Sequence, residues 1–63
     1  MVPDESIVLY TMGFMLHQIG DVKSLDYAAF FYESALRFDR NAGNALHGLG
    51  LVRCHQLHLL PPK

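Results

Sequence analysis

The fold of this chain follows from residues 28–41, which read AAFFYESALRFDRN. Ala28, Tyr32 and Ala35 recur at steps of four and three residues, which place side chains on one face of a helix. The two alanines predict that a neighbouring helix approaches closely, with the Tyr32 side chain filling the space between them. The polar residues after Phe38 end this helix, and Asn41 is predicted to cap the next one.

The composition is that of one small, apolar domain. A chain of 63 residues buries only about 60% of the surface that it exposes when unfolded. Hydrophobic residues nevertheless make up 51% of the sequence, which is more apolar material than three short helices hide easily. We therefore expect part of it to face a partner chain.

Charge and cysteine content exclude several classes of function. Five Lys and Arg residues against six Asp and Glu residues form no basic stripe, so neither nucleic acid nor an acidic membrane surface is an expected partner. Cys54 is the only cysteine, so no disulfide forms within one chain. No apolar run approaches the roughly 20 residues that cross a bilayer, and the first residues lack the profile of a signal peptide. We expect an intracellular, cytoplasmic protein.

Local signals predict an all-α fold of three helices. Pro3-Asp4-Glu5-Ser6 is typical of a helix start, and Gly20 is suited to the left-handed conformation that ends a helix. Ser24 is predicted to cap the second helix after a loop at residues 22–24, and Pro61-Pro62 to end the third. The predicted helices span about residues 5–19, 25–38 and 42–59, with an extended tail at 60–63, in one domain.

Loop lengths predict how these helices are arranged. The short connection between the first two favours an antiparallel hairpin.

Two glycines lie inside the predicted third helix. Gly48 and Gly50 each cost about 1 kcal/mol relative to alanine inside a helix, which indicates close backbone packing there.

An internal repeat accompanies this pattern. Leu9-Tyr10-Thr11-Met12-Gly13 aligns with Leu46-His47-Gly48-Leu49-Gly50 at an offset of 37 residues. Over about residues 6–57 the chain resembles one and a half tetratricopeptide repeats, with three extra residues before Ala28 and Arg53 where the family commonly has a large aromatic residue. The positions that match the family's helix-packing signature, and are predicted to form the scaffold, are Met12, Gly13, Ala28, Tyr32, Ala35, Leu49 and Gly50.

The resemblance implies a non-catalytic protein-interaction module without a cofactor. Such a chain self-associates, forms part of a larger repeat array, or binds an apolar helix or peptide in a groove. Tyr10 and Phe14 stand where a clamp for a C-terminal carboxylate would need Lys and Asn, so the groove is predicted to be apolar and aromatic. Carried over by position, the residues predicted to bind a partner in this groove are Tyr10, Phe14, His17, His47, Leu51, Cys54 and His55.

Two alternatives use the polar side chains of the third helix. Cys54 and His58 lie four residues apart on one helical face, with His47 seven residues before Cys54, and thiolate and imidazole suit zinc or copper. The alternative function is therefore a metal-bridged helical oligomer that uses Cys54 and His58. Catalysis by Cys54 would further require an oriented base and an oxyanion site, so we do not expect an enzyme.

Overall fold

The computed structural model describes residues 5–59, which form three α-helices and contain no strand. Helix α1 spans Glu5–Ile19, α2 spans Val22–Phe38 and α3 spans Gly43–Leu59. The predicted all-α fold and the hairpin of the first two helices are confirmed. The predicted helix start at Pro3 and Asp4, the Pro61-Pro62 stop and the tail lie outside the described residues.

The connection between α1 and α2 is tighter than the sequence predicted. Gly20 has a φ of 81°, the left-handed conformation that glycine adopts without strain, and its N–H donates to the Leu16 carbonyl. The Asp21 side chain then accepts a hydrogen bond of 2.7 Å from the Ser24 N–H. Asp21 is therefore the cap, and the prediction of a loop at residues 22–24 capped by Ser24 is wrong. The three extra residues form the first turn of α2.

We expect the Asp21 cap to stabilise the fold at neutral pH and to lose this effect at acid pH. The Ser24 backbone N–H and hydroxyl stabilise the carboxylate and hold its pKa below the ordinary value. Because the folded-state pKa is depressed, this stability is present at neutral pH and is lost as pH falls through the folded-state pKa. Asp21→Ala should lower the Tm at pH 7, whereas Asp21→Asn should preserve the cap and remove its acid-dependent loss. Equal Tm values for Asp21→Ala and the parent chain at pH 7 would contradict the assignment.

The turn between α2 and α3 is built on Asp39. Its N–H donates to the Ala35 carbonyl, its carbonyl accepts from the Ala42 N–H, and its side chain accepts from the Asn41 N–H. Ala42 is the residue immediately before α3, and its carbonyl accepts from the Leu46 N–H. The prediction that Asn41 caps the third helix is therefore wrong, because Asn41 lies one residue before the capping position.

The core is centred on α2. α1 and α3 both pack on this helix, and they contact each other much less. The hydrophobic side chains that are buried are mostly small, and Tyr32 is the largest of the fully buried residues. The buried hydrophobic residues are Leu25, Ala28, Ala29, Tyr32 and Ala35 from α2 and Ala45 and Val52 from α3.

Two glycines let α1 and α3 approach the Tyr32 ring. A Cβ atom placed on Gly13 would lie 2.9 Å from Tyr32 Cε1, and one on Gly48 would lie 2.6 Å from Tyr32 Cζ. Either distance is shorter than van der Waals contact allows, so only glycine fits without movement.

The close packing predicted for Ala28, Tyr32 and Ala35 is present. The prediction for Gly50 is wrong, because Gly50 is exposed and a Cβ atom placed on it would have no neighbour within 4 Å. Met12 is likewise exposed.

Candidate functional site

A row of aromatic side chains follows the side of α1 that faces α3. The Tyr10 ring lies 6.2 Å from the Phe14 ring and 5.7 Å from the Tyr32 ring, measured between centroids. One turn further along α1, the His17 ring lies 6.0 Å from the His55 ring of α3. Tyr32 therefore forms a buried floor, and the rings of Tyr10 and His17 line the groove between α1 and α3, which we call the α1–α3 groove.

Part of this groove is exposed. Phe14 is 45% exposed and Leu51 is 48% exposed, whereas Tyr10, His17 and His55 are half-buried. Leu51 precedes His55 by four residues and so lies on the same side of α3. The half-buried rings form the fixed walls of the groove. The exposed side chains of Phe14 and Leu51 are apolar, so their removal from water by a partner would be favourable.

The groove widens into a recess at the start of α1 and α3. This recess has a volume of about 370 Å³, and it is lined by both apolar and polar residues. From Ile7 to His17 the groove follows α1 for about 15 Å, since a helix rises 1.5 Å per residue. The residues that line the recess are Ser6, Ile7, Tyr10, Thr11, Asp39, Ala42, Gly43, Asn44 and Ala45.

The seven predicted groove residues do not all lie together. The structure packs Tyr10 beside Phe14 on α1 and His17 of α1 beside His55 of α3, and Leu51 lies one turn before His55 on α3. His47 begins the row that continues to Leu51 and His55, but it is exposed at the outer edge. Cys54 follows the buried Val52 by two residues, so it lies about 200° around the helix, on the outer side. The free cysteine is exposed there.

The side chains named for metal binding are all exposed on α3. Cys54 and His58 share the outer face of the helix, as their spacing predicted. Across residues 5–59, no group of three or more His, Cys, Asp or Glu side chains is placed to hold a metal ion. A metal-bridged oligomer stays a prediction that requires ligands from a second chain.

A second feature, which was not predicted from the sequence, joins α2 to α3. Arg53 forms an ion pair with Glu33 and donates a bond of 3.3 Å to Gln56, which donates one of 2.7 Å to Asp26. Arg53 thus has polar neighbours on both α2 and α3. Because Arg53 and Glu33 are about half exposed, their pairing contributes at most about 1 kcal/mol.

This polar network borders an open cavity of about 530 Å³. Asp26 and Glu33, seven residues apart on α2, share one face of their helix, as do Arg53 and Gln56, three apart on α3. We interpret the network as a contact that fixes the register of α3 on α2. The residues that line the cavity are Val22, Asp26, Arg53, Gln56, Leu57 and Leu59.

No model of a known protein family, no curated protein and no solved structure matches the chain. The resemblance to the tetratricopeptide repeat therefore stays an interpretation of the sequence. Among residues 5–59, none of the three helices has the combination of length and apolar character that a membrane span needs.

Proposed function

We propose that this protein is a non-catalytic interaction module whose α1–α3 groove binds an apolar helix or peptide of another protein. The observation that carries the proposal is the exposed Phe14 ring, which continues a row of packed aromatic rings over the buried Tyr32. Aromatic residues held in place by their neighbours are typical anchors of protein interfaces, because little conformational entropy is lost on binding. The resemblance of the sequence to the tetratricopeptide repeat favours the same proposal.

The groove defines the chemistry of the expected partner. A groove of about 15 Å accommodates roughly three turns of a helix or a shorter extended segment. Phe14 and Leu51 favour large aliphatic or aromatic side chains, which a partner helix would supply at positions i, i+3 or i+4, and i+7. Asn44 and Asp39 at one end, and His17 and His55 at the other, offer hydrogen bonds that would fix the orientation of the bound segment.

Selection from a library of helix-forming peptides of about 14 residues tests the proposal. Peptides selected on the parent chain should lose about 30-fold in affinity for Phe14→Ser and for Leu51→Ser, which corresponds to about 2 kcal/mol for the loss of an anchor side chain. Met15→Ser is the matched control, because Met15 is adjacent to Phe14 and 63% exposed but lies outside the groove. Its affinity should change less than about twofold, within the small effects usual outside hot spots.

Two results would contradict this proposal. One is a library in which no peptide prefers the parent chain over the double variant Phe14→Ser/Leu51→Ser. The other is a bound peptide that perturbs the NMR signals of residues on the outer sides of α1 and α3 and leaves Phe14, Leu51 and His55 unchanged. Both variants replace exposed side chains, so far-UV circular dichroism should show that the helices remain.

A further inference from the structure

Two histidine side chains meet where the end of α1 lies against α3. His17 is in the last turn of α1, and the centroid of its ring is 6.0 Å from that of His55 on α3. We propose that these two residues, which we call the histidine pair, bind a divalent transition-metal ion, with Zn²⁺ as the ion that the geometry suits. The inference concerns a metal ion rather than a protein partner, so it does not depend on the proposed function.

The distance between the two rings is compatible with one metal ion between them. A Zn–N bond to histidine is about 2.0–2.1 Å long, which places the ion about 3.2 Å from the centroid of each imidazole that binds it. Two imidazoles on one ion therefore have centroids at most about 6.4 Å apart, and about 5.2 Å apart at a tetrahedral angle. The observed 6.0 Å lies within this limit, so the two rings need to approach each other by less than about 1 Å.

The ring nitrogens of the histidine pair are available as ligands. A neutral imidazole has one nitrogen that donates a hydrogen bond and one that accepts, and the accepting nitrogen is the one that binds a metal ion. Within residues 5–59, neither ring forms a hydrogen bond or an ion pair with another residue. Both side chains are half-buried, so an ion in solution can reach them.

The histidine pair takes one ligand from each of two helices that have little contact with each other. A Cβ atom placed on Gly20 would lie 3.6 Å from His55 Cε1, so the His55 ring packs beside the turn that ends α1. Elsewhere α1 and α3 pack mainly on α2. An ion bound by both histidines would therefore join α1 directly to α3.

No unpaired Lys or Arg on either helix opposes the binding of a cation. Over Glu5–Ile19, α1 contains no Lys or Arg. Over Gly43–Leu59, the only such residue is Arg53, which forms an ion pair with Glu33 of α2. At the start of α2, the positive charge of Lys23 interacts with the Asp21 carboxylate. The cationic side chains around the histidine pair are thus offset by carboxylates.

Two protein ligands make this an open site. Among residues 5–59, no third His, Cys, Asp or Glu side chain completes a group of three, so water would occupy the remaining positions of a tetrahedral ion. The expected affinity is therefore lower than that of a closed structural site with four protein ligands. This site also differs from the pair of Cys54 and His58, which lies on the outer face of α3 and needs ligands from a second chain.

Zinc titration of matched variants tests the inference. Cys54→Ser is the reference chain, because it removes an exposed thiol that is itself a zinc ligand. By isothermal titration calorimetry at about pH 7.5, where imidazole is neutral, the reference chain should bind one Zn²⁺ with a Kd below about 1 mM. Adding His17→Gln or His55→Gln should weaken binding at least about tenfold, because the second, intramolecular ligand is lost. Adding His58→Gln, an exposed residue of the same helix, should leave the Kd unchanged.

Two further measurements read the site without relying on the affinity of a variant. In NMR spectra of the reference chain, Zn²⁺ should shift the imidazole signals of His17 and His55 and leave those of the exposed His47 and His58 in place. In urea denaturation, Zn²⁺ at a hundred times its Kd should raise the folding equilibrium constant of the reference chain about a hundredfold, as for any ligand that binds the folded state alone. His17→Gln, measured with and without Zn²⁺, should lack this increase.

Three results would overturn the inference. The first is the absence of saturable Zn²⁺ binding below about 1 mM. The second is binding that His58→Gln abolishes and His17→Gln preserves, which would place the ion on α3 alone. The third is equal stabilisation by Zn²⁺ of the reference chain and of His17→Gln. Phe14→Ser separates this inference from the proposed function, because it should lose affinity for the selected peptides and retain the binding of Zn²⁺.

Discussion

Gly48→Ala is expected to lower the free energy of unfolding by about 2 kcal/mol, whereas Gly50→Ala, two residues away, is expected to raise it by up to about 1 kcal/mol. Both replacements favour the helical conformation equally, because alanine has a higher helix propensity than glycine. They differ in what the added methyl group meets. At Gly48 it would lie 2.6 Å from Tyr32 Cζ, and at Gly50 it would meet no atom within 4 Å.

The contact at Gly48 cannot be relieved cheaply. Tyr32 is fully buried, and its ring is also held on the other side by Gly13, where a Cβ atom would lie 2.9 Å from Tyr32 Cε1. Moving the ring away from α3 would therefore press it against α1. Urea denaturation of both variants at low protein concentration measures the two effects. Equal changes in unfolding free energy would show that Gly48 is not the contact point between α3 and α2.

The same pair of glycines shows where sequence reasoning reached its limit. The spacing of apolar residues and the Gly20 signal were sufficient to predict three helices and their order, because these are local properties of the chain. The orientation of α3 about its own axis is not a local property, because it depends on how the helix packs on α2. Gly48 and Gly50 lie about 200° apart on the helix, and only the position of the Tyr32 ring determines which of them is buried. The internal repeat aligns Gly50 with Gly13, and Gly50 was therefore predicted to be a packing residue. In the structure Gly48 is buried and Gly50 is exposed.

The start of α2 shows a different limit. Asp21 and Ser24 are both good capping residues, and they are three residues apart, the spacing at which one side chain reaches the N–H of the other. Ser24 was predicted to be the cap, whereas the structure makes Ser24 the donor and Asp21 the acceptor. Gly20 ends α1 immediately before Asp21, so no loop residues are needed between the helices.

For the candidate groove, the residues on α1 were easier to predict than those on α3. Tyr10, Phe14 and His17 follow one another at steps of four and three residues, so any rotation of α1 that turns Tyr10 towards α3 turns the others as well. On α3 the predicted residues included Cys54, which lies on the opposite side of the helix from Val52. The network of Arg53, Gln56 and Asp26 was missed because it depends on how α3 lies along α2.

Truncation of the Tyr32 side chain should destabilise the fold strongly, because Tyr32 is the largest of the fully buried residues. Tyr32→Ala removes the ring on which all three helices pack and leaves a cavity, which costs about 3–5 kcal/mol. A domain of this size has a free energy of unfolding near 5 kcal/mol or less. We therefore expect Tyr32→Ala to be largely unfolded at 25 °C, with most of its helical circular dichroism lost.

Tyr32→Phe should have the opposite effect. The Tyr32 hydroxyl is buried, and no hydrogen-bond partner for it lies among the described residues. A buried hydroxyl without a partner costs about 1–3 kcal/mol, so its removal should raise the free energy of unfolding by about 1 kcal/mol. Tyr32→Phe keeps the ring and so serves as the control for Tyr32→Ala. A loss of stability in Tyr32→Phe would instead show that the hydroxyl makes a favourable hydrogen bond, for example to an ordered water molecule.

The pH dependence of the same variant separates the hydroxyl from the ring. Burial disfavours the phenolate, with a smaller contribution from Tyr10, and raises the pKa of Tyr32 above its ordinary value. Because the folded-state pKa is raised, the folded state is favoured fully below the unfolded-state pKa of about 10, and this contribution is lost as pH rises through the folded-state pKa. The parent chain should therefore lose stability between neutral pH and pH 11 more steeply than Tyr32→Phe. Parallel curves would indicate that water reaches the hydroxyl and that the α1–α3 groove is open down to its floor.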